Sequence, residues 1–122
     1  MWLIGMARPP ALRRQLIDHA LSKPGAWLDH PWGEDVAKVG KKAFVFFGVE
    51  GNSAEFGLGV KLPQSGPLAL AQPGVTPMGY GLGKAGWVSV TFKRGMSFEM
   101  LRDWIDESYL AVAPKKLSAT LR

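Results

Sequence analysis

Apolar residues recur at helical spacing near the start of the chain, alternate through its middle, and return to helical spacing near its end. Leu12, Leu16, Ile17, Ala20 and Leu21 form the first stripe. Pro9 and Pro10 suit the opening turn of that helix, where backbone N–H groups have no intrahelical partner. The helix is expected to end at Ser22 or Lys23, before Pro24-Gly25. A turn-rich segment follows through Trp27, Pro31, Trp32 and Gly33. Residues 36–39 and 43–49 are short β-type runs, and Gly40-Lys41-Lys42 between them suits a tight hairpin. The third strand has the plainest pattern: Phe56, Leu58, Val60 and Leu62 alternate with Glu55, Gly57, Gly59 and Lys61. One of its faces is apolar, and the other is small or charged.

Residues 63–85 are rich in Pro and Gly. Within them Ser65 is placed to cap a short helix over residues 67–72. Tyr80 and Leu82 suggest a brief fourth strand. Residues 87–93 make a fifth, with Val88, Val90 and Phe92 on one side and Trp87, Ser89, Thr91 and Lys93 on the other. Ser97 reads as the N-cap of a long amphipathic helix with a core stripe of Leu101, Trp104, Ile105 and Val112, and with Glu99, Asp103, Asp106 and Glu107 mostly outward. Pro114 ends or kinks it, and residues 115–121 have room for a last turn or two.

The order is helix, three strands, short helix, two strands, long helix. Hairpin-length connections force antiparallel pairing, because a parallel crossover takes about a dozen residues or more. Apolar helix stripes and a sheet with one apolar face fit together as an α+β fold, a two-layer sandwich with the helices on one face of the sheet. The other face is left to solvent or to a partner. At 122 residues the chain is expected to be a single domain over 1–122, with residues 1–8 a loose N-terminal extension.

Composition removes several functions without supplying one. The hydrophobic fraction is 47% and the charged fraction 20%, values of an ordinary globular protein and not of a disordered tail. With no cysteine there is no disulfide framework, thiolate metal site, Fe–S cluster or cysteine nucleophile. A reducing cytoplasm suits this composition. The apolar start Met1 to Ala7 is too short for a signal-peptide core, and no stretch reaches the roughly 18 apolar residues of a spanning helix.

Catalytic chemistry is poorly provided for. His19 and His30 are the two histidines, and neither has a nucleophile or metal shell in its sequence context. His19 reads as a helix-surface or boundary residue, and His30 as the donor or acceptor of a turn-stabilising hydrogen bond. Glu34 and Asp35 are adjacent, so on a strand they point to opposite faces and share no acid–base site. Gly81-Leu82-Gly83-Lys84-Ala85-Gly86 matches G-x-G-x-x-G in letters. That fingerprint must follow a strand and open a helix, whereas here it leads into a strand, so it reads as a bent connection. No catalytic residue, cofactor or metal is expected.

Charge changes the picture more. Fifteen Lys+Arg against ten Asp+Glu give a net +5 and a sequence pI near 9.8. Residues 99–107 hold four of the carboxylates and a single arginine, so the rest of the chain carries 14 basic and 6 acidic residues. Positive charge gathers at Lys38, Lys41 and Lys42 around the first hairpin, at Lys84, and at Lys93 and Arg94. By strand alternation Lys61, Lys93 and Trp87 fall on the open sheet face. An aromatic ring among lysines there can stack on bases while the ammonium groups displace counterions from phosphates. The same ring can equally bury itself against the Gly-rich loop or in a homodimer seam.

Pro31-Trp32-Gly33, the hairpin from Lys38 to Phe44, Lys84-x-x-Trp87 and Glu107-Ser108-Tyr109, in that order and spacing, resemble the MmcQ/YjbR family. The resemblance runs from about the first helix to the end of the chain. It implies a small bacterial α+β domain in the order α-β3-α-β2-α, similar to type III secretion chaperones and to CyaY. It also implies DNA binding through a double wing of β-hairpins. Residues and resemblance together lead to a non-enzymatic cytoplasmic domain that contacts DNA weakly and through phosphates, with Lys38, Lys41, Lys42, Lys61, Lys84, Trp87 and Lys93. The alternatives are a protein-interaction or homodimer module using the open face, and a small-ligand site near Trp27, His30 and Trp32. No membrane partner is expected.

Overall fold

The computed structural model describes residues 9–48, 57–79, 81–92 and 96–118. Helix α1 spans Pro9–Leu21 and is followed by strand β1 at Ala26–Asp29, a 3-10 turn at Pro31–Gly33, and strands β2 (Asp35–Val39), β3 (Lys42–Gly48) and β4 (Leu58–Lys61). Helix α2 (Gly66–Leu70), strand β5 (Val75–Pro77), a second 3-10 turn (Leu82–Ala85) and strand β6 (Trp87–Val90) come next. Helices α3 (Phe98–Val112) and α4 (Lys115–Ser118) complete the described chain. The α+β class, the antiparallel pairing and the helix layer match the pattern of the sequence. The expected extension over residues 1–8, Tyr80 of the expected fourth strand, Lys93 of the fifth, and the end of the expected last helix lie outside the described residues.

Two strands differ from the sequence reading. Ala26–Asp29, within the segment read as turns, pairs with β2 as an edge strand. The strand placed at Tyr80 and Leu82 instead lies at Val75–Pro77, and Leu82 opens a 3-10 turn. The sheet therefore has six strands in the order β1-β2-β3-β4-β6-β5, all antiparallel. The connection through α2 carries the chain past one strand position to the edge, and β6 returns to fill the gap.

Strand β3 carries two bulges. Asp35 pairs with Gly48 and Val36 with Phe46, which leaves Phe47 unmatched; Ala37 pairs with Val45 and Lys38 with Ala43, which leaves Phe44 unmatched. An inserted residue breaks the period of two. Phe44, Val45 and Phe47 thus all enter the core, and Phe46 alone turns to the other face. Against this floor α1 sets Leu16, Ile17 and Ala20, and α3 sets Leu101, Trp104, Ile105 and Tyr109. Ala69 of α2 closes the core. Ser97 caps α3 as its sequence suggests, its Oγ accepting the Met100 N–H at 3.1 Å.

Three consecutive residues of α3 tie the layers together. Ser108, with no exposed surface, donates to the Phe44 carbonyl at 2.5 Å and accepts the Lys61 N–H at 2.8 Å. Val45–Val60 and Phe46–Gly59 are the pairs between β3 and β4, so Phe44 and Lys61 stand where the next pair would be. The serine hydroxyl takes that position and continues the ladder through the helix. On one side of it, Tyr109 Oη donates to the Pro24 carbonyl at 2.6 Å. On the other, Glu107 Oε2 accepts the N–H groups of Gln64 and Ser65 at 2.9 and 3.0 Å. The start of α2 is therefore held by a distant carboxylate, not by the Ser65 hydroxyl acting as its cap. Asp106 is also tied inward, to His19 Nε2 at 2.7 Å and Lys23 Nζ at 2.5 Å. Asp106 and Glu107 are thus not the outward-facing charges that the helical pattern suggested. Among the described residues no helix is long and apolar enough to cross a membrane.

Ser108→Ala should leave a buried N–H and a buried C=O without their partner, and is expected to cost about 1–3 kcal/mol in chemical denaturation. A loss below about 0.5 kcal/mol would show that the bridge carries little stability. For Glu107, burial is the largest influence and pushes its carboxyl up, but the Ser65 side chain and the Ser65 and Gln64 amides together hold it below its ordinary 4.5. A carboxyl depressed in the fold stabilises at pH above its unfolded value and loses that contribution as pH falls through the folded value. Glu107→Gln should therefore flatten the fall in stability between neutral pH and pH of about 3. An unchanged slope in denaturation at the two pH values would contradict this.

Candidate nucleic-acid interface

Register decides which basic residues meet. Val39 pairs with Lys42 and closes the β2–β3 hairpin on the two residues Gly40 and Lys41, with Gly40 at a φ of +62° that glycine adopts without steric cost. Lys61 stands opposite Trp87, and Lys84 lies in the 3-10 turn just before β6, reached through Gly86 at φ +94°. Because β4 runs antiparallel to β3, Lys61 and the start of β6 lie at the same end of the sheet as the hairpin tip. Lys38, Lys41, Lys42, Lys61 and Lys84 therefore converge on one end, from three separate stretches of chain. Lys41, Lys42 and Lys84 are exposed there. Lys93 lies outside the described residues.

Two further lysines join them. A Cβ on Gly25 would meet Leu117 Cδ1 at 3.0 Å and Val39 Cγ2 at 3.7 Å, so α4 lies against the hairpin end. Its Lys115 and Lys116 are exposed at that end. Nothing local in the sequence marks this, because it depends on a contact between residues about 90 positions apart. The C-terminal half of α3 reaches the same end through Ser108, which leaves Glu99 and Asp103 toward the other. The chain is polarised along its long helix.

Trp87 is buried and Trp27 is half exposed, so the ring open to contact is not the one that the sequence placed among the lysines. Trp87 lies on the open face, as alternation requires, but keeps only 8% of its surface exposed. Its ring packs on Phe46 with centroids 5.2 Å apart. It is buried within a single chain and offers no stacking surface. Trp27 keeps 44% of its surface, and its Nε1–H donates to the Gly40 carbonyl at 2.9 Å. Lys38 Nζ stands 5.6 Å from the Trp27 ring centre and 2.6 Å from Asp29 Oδ2. That Lys38 hydrogen bond, with the His30 amide, holds the Asp29 carboxyl below its ordinary value against the opposing effect of burial. Lys38 thus orients the indole more than it reaches into solvent.

The YjbR family model matches residues 21–111 of the chain. The chain belongs to the YjbR family. No curated protein matches it. In this YjbR-family chain the motifs that carried the resemblance serve structure. Glu107-Ser108-Tyr109 binds β3, the end of β4, the start of α2 and the loop after α1 to α3, Pro31-Trp32-Gly33 forms a 3-10 turn, and Lys38 of the hairpin lies against the ordered Trp27. The histidines are occupied as well. His30 Nδ1 lies 2.8 Å from Asp35 Oδ1, the turn-stabilising contact its position suggests, and Asp35 also binds Arg13 at 2.8 Å. His30 and Trp27 are each bonded separately, to Asp35 and to the Gly40 carbonyl. The groove on the open face is lined by other residues, Glu34 and Phe46 among them.

If Trp87 is core and Trp27 is surface, their truncation should differ. Trp87→Ala is expected to cost about 3–5 kcal/mol of folding stability, as buried aromatic deletions do. Trp27→Ala should cost no more than about 2 kcal/mol, for one hydrogen bond and a half-exposed ring. Equal losses in urea denaturation would overturn the assignment.

Proposed function

We propose that this protein is a non-enzymatic binding domain for DNA, which it contacts through phosphates with Lys41, Lys42, Lys84 and Lys61, Lys38 acting in support. The observation that carries this reading is the convergence of lysines from the hairpin, β4 and the turn before β6 on one end of the sheet. Lysines gathered from distant parts of a chain repel one another, and a polyanion relieves that repulsion while its counterions are released. Trp27 takes the stacking role for which sequence suggested Trp87. Its ring is half exposed and already ordered by Gly40 and Lys38, so little side-chain entropy remains to be lost on contact with a base. The open face favours a protein seam less, because Trp87 is already covered by Phe46 of its own chain.

Fluorescence anisotropy with labelled duplex and single-stranded oligonucleotides at two salt concentrations tests the reading. Binding should weaken steeply with salt, with a log–log slope of about −0.9 for each phosphate neutralised on duplex. Lys41→Glu with Lys42→Glu should weaken binding about tenfold or more at low salt, and Lys84→Glu severalfold. Arg102→Glu, on the far half of α3, should leave it unchanged. Absence of binding at low salt, or equal effects of all these changes, would defeat the proposal.

A further inference from the structure

A second site lies on the open face, away from the lysines that the proposed function uses. A groove of 480 Å³ runs between the sheet and the segment that connects β5 to β6. Phe46, Ser89 and Thr76, which line it, share a register row with Gly59 across β3, β6, β5 and β4. Glycine at the centre of that row leaves the sheet surface low. A Cβ on Gly59 would overlap Met78, so the absence of a side chain there is what lets Met78 lie down over the strand and wall the groove. Leu82 and Met78 supply the apolar wall, and the Thr76 and Ser89 hydroxyls stand side by side on paired strands.

Glu34 supplies the charge. It is the single ionisable side chain among the residues that line the groove. Among the described residues the other carboxylates near the sheet are committed: Asp29 to Lys38, Asp35 to Arg13 and His30, and Glu107 to two backbone amides. Glu34 has no ion pair or side-chain hydrogen bond among the described residues. A carboxylate with no partner among the described residues, in the same groove as an aromatic ring, is the combination that recognises an organic cation, since both the anion and the negative π-face attract it. Phe46 provides that ring, and Trp87 behind it holds it in place. The hydroxyls can accept further N–H donors from the same ligand.

We propose that this groove binds a small organic cation, an amine or amidinium carried on a flat apolar body, with Glu34 as counter-ion, Phe46 and Met78 against the body, and Thr76 and Ser89 accepting its N–H groups. The site is independent of DNA contact, because its charge is opposite and its residues are different. The chain carries a net +5, so a cation that enters must be drawn by the local carboxylate against the overall field.

Benzamidine is a suitable probe, with benzamide and benzoate as its neutral and anionic counterparts. Titration of the isotope-labelled full chain, followed by NMR, should give saturable shifts at the amides of Phe46, Thr76, Met78 and Ser89, with a Kd of about 0.1–1 mM for so small a ligand. Benzamide should bind about tenfold more weakly and benzoate not measurably. Glu34→Gln should weaken benzamidine about tenfold with its thermal midpoint unchanged, and Lys84→Glu should leave benzamidine affinity intact while reducing DNA binding. Gly59→Leu, which would push Met78 out of the groove wall, should abolish binding; if it unfolds the chain, the Glu34→Gln result alone decides. Benzoate bound as well as benzamidine, Glu34→Gln without effect, shifts outside the groove, or no saturation by about 10 mM would overturn the proposal.

Discussion

A single hydroxyl stands where the two central strands of the sheet part. Ser108 Oγ occupies the place of one β3–β4 pair, taking the Lys61 N–H and giving its proton to the Phe44 carbonyl. Buried backbone groups without partners are costly, so the helix cannot withdraw without leaving two of them exposed to an apolar interior. The constraint also works in the other direction. Because Phe44 is the unmatched residue of a bulge, its carbonyl is free to meet a helix instead of a strand. Glu107 and Tyr109 extend the same fixation to the start of α2 and to the loop after α1. The position of α3 along the sheet, and with it the placement of its acidic first half away from the hairpin, follows from this triplet.

The bulges of β3 set the character of both faces. They send three of four consecutive apolar residues inward and leave Phe46 as the large apolar residue of β3 on the other face. Phe46 then covers Trp87, which removes that indole from solvent, and frames the groove in front of it. Lys38, on the other side of the hairpin, is spent on ordering Trp27. What reaches solvent at this end is therefore a set of lysines at a hairpin tip and a turn, with one half-exposed tryptophan held in place on the edge strand β1.

The helices and the central strands were legible because each carries its own pattern. Leu16, Ile17 and Ala20 on α1, Leu101, Trp104 and Ile105 on α3, and Leu58 and Val60 on β4 are core residues, as their spacing indicates. The two strands that differ are both at sheet edges. β1 has four residues of mixed burial in a Pro- and Gly-rich stretch, and β5 has three ending in Pro77, which an edge tolerates and a central strand does not. Such strands are held by the neighbour they pair with, and a neighbour is invisible along the chain. The candidate site follows the same logic. The lysines were countable, but the convergence of Lys61 and Lys84 on the hairpin depends on register, the arrival of Lys115 and Lys116 on a contact with Gly25, and the fate of Trp87 on a bulge. Glu34 gave no signal, since its meaning comes from Gly59 and Met78 across the sheet.

The insertion of β6 between β4 and β5 has a consequence for how the molecule comes into being. Strands β1 to β4 form a simple meander that local contacts can assemble early. The outer edge of β4, however, has no partner until residues 87–90 arrive, and the serine that completes its ladder comes eighteen positions later still. During synthesis the chain thus carries an unpaired strand edge until residues 87–90 have been made, a state prone to pairing with other chains. Lys61 lies at that edge, and a charged residue there discourages such pairing. Ser108, which locks the middle of the sheet, is made after all six strands, so a chain stopped before it would lack the bond that holds that middle closed.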